Sequence, residues 1–304
     1  MENQIYQIYD RIFKRIFTLS NLAIINLINA LFGANHSPDS KITYLNKEFV
    51  GRNLDKRFAD ILIEINGIAY HLEAQMTKAK NIVVRVFEYS FLYAMENSEE
   101  NEVLKFPEPI VIYLDTATDI PKTSTLILNF GTQGSFEYKV KNFVYQEHEV
   151  RELNQKKMVI LIPFQLLKLR KLVKKKPTEE TWERLQKLIL NDIIGSIKAN
   201  LEVGNITVDD ATELKELTLE LYEHLYQHYE ELGGYQEMKE LLEGAMELPL
   251  DKYRIQIDEL KREVETIKAD KAKVEADKAK AEADKAEADE EIQMLKKKLA
   301  DLQK

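Results

Sequence analysis

Asp60 and Glu73 are the residues whose type and spacing most directly offer chemistry. Between them lie two β-rich runs on either side of Asn66-Gly67. Asn-Gly is the dipeptide that best tolerates the positive φ angles of a two-residue type I′ hairpin turn. If those two residues are the loop, Ile65 pairs with Ile68, and counting outward sets Asp60 opposite Glu73 on one sheet face. Two carboxylates held about 5 Å apart repel by roughly 3 kcal/mol at an effective dielectric near 20. A divalent cation between them turns that repulsion into ligation, and hard Mg²⁺ typically takes one or two protein carboxylates with water or phosphate completing its shell. The alternative is an exposed sheet face with hydrated acids. The opposite face carries Ala59, Ile61, Ile63 and Ile65 against Ile68, Tyr70, Leu72 and Ala74, a surface for helices to cover.

Several neighbours extend the pattern. Asp10 and Lys14 are four apart on a helical stretch, as an ordinary ion pair requires. Arg85 and Tyr89 share one face of the helix expected after the hairpin, where a guanidinium can hold a phosphate and a phenol can hydrogen-bond it; a solvated arginine and a packed tyrosine are the alternative. His71 falls on the Asp60 side of the hairpin, but without a second histidine at ligand spacing it reads as structural or peripheral. Asp60, then Glu73-Ala74-Gln75 on the next strand, with Asp10 to Lys14 before and Arg85 and Tyr89 after, resembles the PD-(D/E)XK nucleases. More narrowly, the arrangement is similar to their recombination-promoting nuclease or transposase-associated branch, over roughly Tyr9 to Arg170.

That resemblance implies a restriction-endonuclease-like fold and Mg²⁺-dependent hydrolysis of DNA phosphodiester bonds, with Mn²⁺ able to stand in for Mg²⁺. Asp60, Glu73 and the Ala74 main-chain carbonyl become metal ligands, Asp10 an outer metal contact, and metal-bound water the nucleophile or its source. Lys14, Arg85 and Tyr89 become phosphate contacts. Gln75 stands where the wider superfamily has lysine; it orients water or phosphate through its amide but supplies no charge and no general base. Lys78 and Lys80 lie close enough in sequence to supply the charge, or are simply surface lysines.

The elements that must position these residues read as follows. Two short helices open the chain, the second following Ser20 and stopping at Gly33. A strand is expected over 42–50, then the hairpin, a helix from Asn81 to Asn97, and a short buried strand from Pro109 to Asp115. A second hairpin is expected around Gly131 to Gly134, and a last strand from Met158 to Ile162. This order means α/β or α+β, a mixed sheet flanked by helices. Beyond Pro163 strand signals stop and helices are expected over 164–173, 178–199, 208–231 and 235–246. Domains are therefore expected at 1–163, a helical region at 164–250 and a long charged helix at 251–304.

The tail sustains 3,4 spacing from Ile257 through Leu260, Val264 and Ile267 to Ile292, Leu295, Leu299 and Leu302, a coiled-coil period. Its middle is weak: Lys271, Lys278 and Lys285 occupy successive a positions, and an alanine stripe lies on another face. The reading is self-association, or a partner helix, through the coil; a solvated single helix is the alternative.

Bulk composition bounds the rest. The 304 residues contain no cysteine, which excludes disulfides, thiolate metal sites and cysteine nucleophiles. The apolar stretch from Leu22 to Phe32 is too short to span a bilayer and the start lacks a signal peptide's basic residues, so a cytoplasmic protein with no membrane partner is expected. A formal charge of -9 argues against a polyanionic partner, but the run from Lys156 to Lys176 has no acidic residue and offers either a patch for DNA phosphates or a solvated helix end. No Gly-rich phosphate loop and no serine nucleophile elbow are present. Two further function classes stay open: a non-catalytic DNA-binding protein retaining a nuclease-like fold, and a helical scaffold.

Overall fold

The structure, a computed structural model, describes residues 9, 11–45, 49–50, 56–57, 61–97, 103–115, 119–176, 178–227, 235–244 and, in the tail, 256–257, 259–276, 278, 280, 285, 292 and 294–296. Asp10 and Asp60 lie outside them. Helix α1 (11–16) precedes α2 (Asn21–Phe32), which begins where the Ser20 hydroxyl accepts from the Ala23 amide and ends where Gly33 takes the left-handed conformation, φ 69°. Strand β1 (Ile42–Tyr44) covers the first part of the strand expected at 42–50; β2 (Phe49–Val50) pairs instead with β3 (Lys56–Arg57) in a separate ribbon.

The main sheet is mixed. Its six strands run in the order β1, β4 (Ile61–Ile65), β5 (Ile68–Gln75), β6 (Glu108–Tyr113), β8 (Ser135–Val144), β7 (Thr123–Asn129). Strands β1, β4 and β5 form an antiparallel meander, β5, β6 and β8 are parallel neighbours, and β7 closes the far edge antiparallel to β8. A parallel neighbour needs a crossover, and α3 (Ile82–Glu96) supplies it between β5 and β6. The β4–β5 turn is Asn66-Gly67 with φ of 52° and 78°, and Ile65 pairs with Ile68, as the dipeptide predicts.

Both sheet faces are buried at β4, β5 and β6, although alternation along the hairpin marked only one of them as core. Ile61, Ile63, Tyr70 and Leu72 are buried on one side, where Phe32 at the end of α2 sets its ring 4.7 Å from Tyr70. On the other side α3 packs Ile82 and Val86 against Val111, Tyr113, Tyr138 and Val140, and Tyr89 and Tyr93 against Leu62. The face expected to carry the chemistry is thus roofed by a helix.

The expected strand at 158–162 is instead a tight helical segment, Val159–Gln165, with all seven residues buried. A continuous apolar run does not distinguish a strand from a buried helix. Here the run turns inward because Leu161 donates its amide to the Met158 carbonyl and its own carbonyl takes the buried Tyr145 hydroxyl at 2.7 Å. Helix α4 (Val150–Gln155) precedes it, and after it come α5 (Leu166–Lys175), α6 (Glu179–Lys187), a wide π turn at Leu188–Ile194, α7 (Gly195–Glu202), α8 (Val208–Tyr226) and α9 (Tyr235–Gly244).

The chain divides into two compact units, Met1–Glu247 and Leu248–Lys304, so the boundary expected at Pro163 falls inside the first unit. Its helices are fastened to the N-terminal ones by charge. Asp210, only 2% exposed, accepts from the Ser20 amide at 2.7 Å, the Ser20 hydroxyl and the Thr207 amide at 2.9 Å, and so ties the start of α2 to the start of α8. Arg15 of α1 meets Glu213, Glu216 and Glu220 along α8. Among the described residues no helix is long and apolar enough to cross a membrane. Because Asp210→Ala leaves three donors without their acceptor, it should lower the unfolding free energy by about 2–4 kcal/mol. Urea denaturation of the full chain measures this; a loss inside the roughly 0.5 kcal/mol range of surface substitutions would remove Asp210 as the tie.

Candidate functional site

Pairing along β4–β5 runs from Ile65 with Ile68 to Ile61 with Leu72, which puts His71 and Glu73 on the face beneath α3. Glu73 is 1% exposed and His71 0%. A buried carboxylate survives as an anion only if donors replace its water. Two nitrogens do so: Arg85 Nη2 donates to Oε2 at 2.7 Å, and His71 Nε2 lies 3.2 Å from Oε1. Arg85 reaches down from the first turns of α3 with its side chain 40% exposed, so one guanidinium spans the buried acid and solvent. Burial pushes the Glu73 carboxyl up, and the His71 and Arg85 interactions outweigh it, holding the group below the usual carboxylate range.

His71 belongs to this site more closely than its lone-histidine pattern indicated. Its Nδ1 is 3.1 Å from the Ser90 hydroxyl of α3, which also accepts from the Tyr138 hydroxyl of β8 at 3.1 Å. An ionised carboxylate only accepts, so the bonding pattern places a proton on Nε2, facing Glu73. The result is a continuous line of polar contacts, Tyr138 to Ser90 to His71 to Glu73, within the sheet–helix interface. Tyr138 is kept neutral as its donor end: burial, tempered by the Ser90 bond, pushes its phenol up to about 12. The spacing of His71 and Glu73, two apart on a strand, was the signal in the sequence; Ser90 and Tyr138 carried none.

Gln75 sits one step further along this face, half-buried, and its amide nitrogen donates to the Ala74 carbonyl at 2.7 Å. The oxygen expected to face a cation therefore already serves the residue expected to orient water. Tyr89 is 6% exposed with its ring among Leu62 and Tyr93 and 6.0 Å from His71. Lys14 is exposed on α1. Lys78 gives its ammonium to the Asp119 carbonyl at 3.2 Å, and Lys80 is exposed.

The basic run after Lys156 is partly consumed by acids within the chain. Lys156 pairs with Glu152 at 2.7 Å and Lys168 with Glu149 at 3.6 Å, while Arg170 donates to Asp115 at 2.6 Å and to the Tyr9 hydroxyl at 3.1 Å. Asp115, 4% exposed, follows β6, and its amide bonds the Met76 carbonyl beyond β5. Arg170 thus ties α5 to α1 at the carboxyl ends of the parallel strands, the edge where open α/β sheets commonly bind ligands. Lys157, Lys174, Lys175 and Lys176 remain exposed.

No protein-family model, curated protein or solved structure matches the chain. Among the described residues no three His, Asp or Glu side chains gather as a metal site. The donor chemistry nevertheless suits a hard cation, since Glu73 and the Ala74 carbonyl are oxygen ligands.

The lowered Glu73 value has a signed consequence. Its stabilisation is complete above the unfolded carboxyl's pKa of about 4.3 and is lost as pH falls through the lower folded value. Urea midpoints of wild type and Glu73→Gln should be separated, wild type higher, near neutral pH and converge in acid. A gap that stays constant through the acid range would show that the carboxylate charge contributes nothing there.

Proposed function

We propose that this chain is a Mg²⁺-dependent deoxyribonuclease of the PD-(D/E)XK type, in the recombination-promoting or transposase-associated branch, with Asp60 and Glu73 as its metal ligands. The observation that carries the reading is a carboxylate 1% exposed and kept ionised beneath a helix, on the strand that the sequence motif assigns to the metal ligand Glu73. Strongly perturbed, buried charge concentrates at functional sites. The mixed sheet flanked by helices supports it further, as the architecture the motif implies.

On this reading Glu73, Asp60 and the Ala74 carbonyl hold Mg²⁺, with Asp10 as an outer contact and Mn²⁺ able to replace it. When bound, the cation supplies Lewis acidity and lowers the pKa of water at the phosphate. The chain's own groups do the rest. Arg85, bridging Glu73 and solvent, presents a planar donor fork to a phosphate oxygen. Gln75 must release the Ala74 carbonyl to orient water or phosphate, because an amide neither carries charge nor accepts a proton as a base. His71 and Ser90 hold the Glu73 carboxylate in one orientation, as outer partners hold metal ligands. Lys14 and Tyr89 complete the proposed phosphate contacts, and the exposed lysines at 174–176 extend them toward a longer stretch of DNA.

One observation favours a second reading, a non-catalytic DNA-binding protein that keeps the fold. Both Glu73 oxygens already meet nitrogen donors, so the buried charge is balanced without a cation. Supercoiled plasmid with Mg²⁺ separates the two. Wild type should nick it, Asp60→Ala and Glu73→Gln should abolish nicking, and His71→Ala should slow it by about 10–100-fold, the usual cost of removing an outer partner of a metal ligand. Unchanged far-UV circular dichroism guards against misfolding. Equal nicking by all four proteins, or none by any, would leave the binding reading.

A further inference from the structure

The tail, Leu248–Lys304, is a compact unit of its own, and its described residues from 256 onward are helical. Its heptad seam is open: Leu260 is 60% exposed, Val264 48%, Ile267 66%, Ile292 48% and Leu295 58%. Isolated apolar seams of this kind are the knobs of a coiled coil awaiting its holes. We propose that the occupant is a second copy of this chain, docked antiparallel.

Residue chemistry along the seam decides the orientation. In a parallel pair each a position meets its own copy, so Lys271, Lys278 and Lys285 would each face an identical lysine in the seam. The flanking g-to-e contacts would be Asp270 with Glu275, Asp277 with Glu282 and Asp284 with Asp289, all like-charged. The centre of a parallel rod is thus repulsive at each lysine layer, while Glu263 with Lys268 and Glu291 with Lys296 attract nearer its ends.

Antiparallel packing sets a against d of the other copy, and with the full seam overlapped the chemistry inverts. Apolar residues meet at both ends: Leu260 with Leu299, Val264 with Leu295, Ile267 with Ile292. In the middle Lys271 meets Ala288, Lys278 meets Ala281 and Lys285 meets Val274, so no lysine faces another. Alanine is short enough for a lysine stem to lie across it while its ammonium reaches solvent. The flanking contacts divide: Glu263 with Lys298 and Lys268 with Asp289 attract, while Lys261 with Lys296, Asp270 with Glu291 and Glu275 with Glu282 are like-charged, so the orientation rests on the seam lysines. The like-charged Asp277 and Asp284 lie next in sequence to Lys278 and Lys285, which supply the opposite charge. The three lysines that weaken the parallel seam therefore select against it, as a polar a residue selects one pairing in other coiled coils.

The chain has no cysteine, so single introduced thiols report on one site each. In the antiparallel rod, residue 264 lies beside residue 295 of the other copy and about 46 Å from its own counterpart at 1.5 Å rise per residue. The experiment treats full-length Val264→Cys, Leu295→Cys and Val264→Cys/Leu295→Cys with a short bismaleimide at low micromolar protein, with sedimentation equilibrium of the wild type beside it. The expected result is a wild-type dimer, with covalent dimer from the double variant and from a mixture of the two single variants, and monomer only from each single variant alone. Covalent dimer from either single variant alone would establish a parallel pair and overturn the proposal, as would a monomeric wild type.

Discussion

Glu73 imposes the constraint around which the sheet–helix interface is arranged, because a carboxylate stripped of water must be supplied with donors or be neutralised. One donor comes from the same strand, two residues away, and the other from α3. The requirement propagates: a histidine that donates through Nε2 needs a partner at Nδ1 as well, Ser90 supplies it, and Tyr138 in turn bonds Ser90. Three elements, β5, α3 and β8, are registered against each other by one line of hydrogen bonds amid the apolar packing of Val86, Val111 and Val140. Removing either partner of such a buried charge typically costs about 3–5 kcal/mol, while well-packed apolar replacements of a whole pair are often neutral or stabilising. Stability alone is therefore a weak reason for the network to exist.

The helices after Pro163 serve the same edge of the sheet rather than a separate body. Arg170 brings Asp115 and Tyr9 together, and Asp210 holds the start of α2, so the positions of α1 and of the carboxyl ends of β5 and β6 depend on residues far along the chain. This accounts for the fate of the basic run. A stretch from Lys156 to Lys176 without an acid in sequence meets Glu149, Glu152 and Asp115 in space, and Lys157 and the last three lysines stay exposed.

Legibility in the sequence followed locality. The Asn66-Gly67 turn and the Ser20 and Gly33 boundaries of the second helix are set by backbone preferences of a few residues, and each was readable. The segment 159–165 was not, because its apolar residues fit a buried strand and a buried helical turn equally and the Tyr145 hydroxyl that arbitrates lies distant in sequence. Alternation on the hairpin marked one apolar face but missed the roof over the other; Leu62 on that face was the hint, and it packs against Tyr89 and Tyr93. Glu73 was identifiable as a candidate, whereas its partnership with His71 and Arg85 required knowing that α3 lies across β5. Asp60 and Asp10 fall outside the described residues, so their pairing with Glu73 rests on register and motif.

Charge counting connects the closed ion pair to the proposed chemistry. Glu73 and Arg85 cancel, so this ion pair carries no net charge by itself. Adding Asp60 makes the proposed site singly negative, and a divalent cation alone would leave it singly positive in a partly dry interface. A phosphodiester brings one further negative charge and returns the sum to zero. On the nuclease reading, Arg85 would lower the site's attraction for a cation in the absence of DNA and restore it when DNA is present, since its guanidinium could share itself between the buried carboxylate and the incoming phosphate. The same pairing that makes the apo site look structurally complete would, on the nuclease reading, make cation and substrate bind favourably only together, which also confines hydrolytic competence to the moment a phosphate is in place.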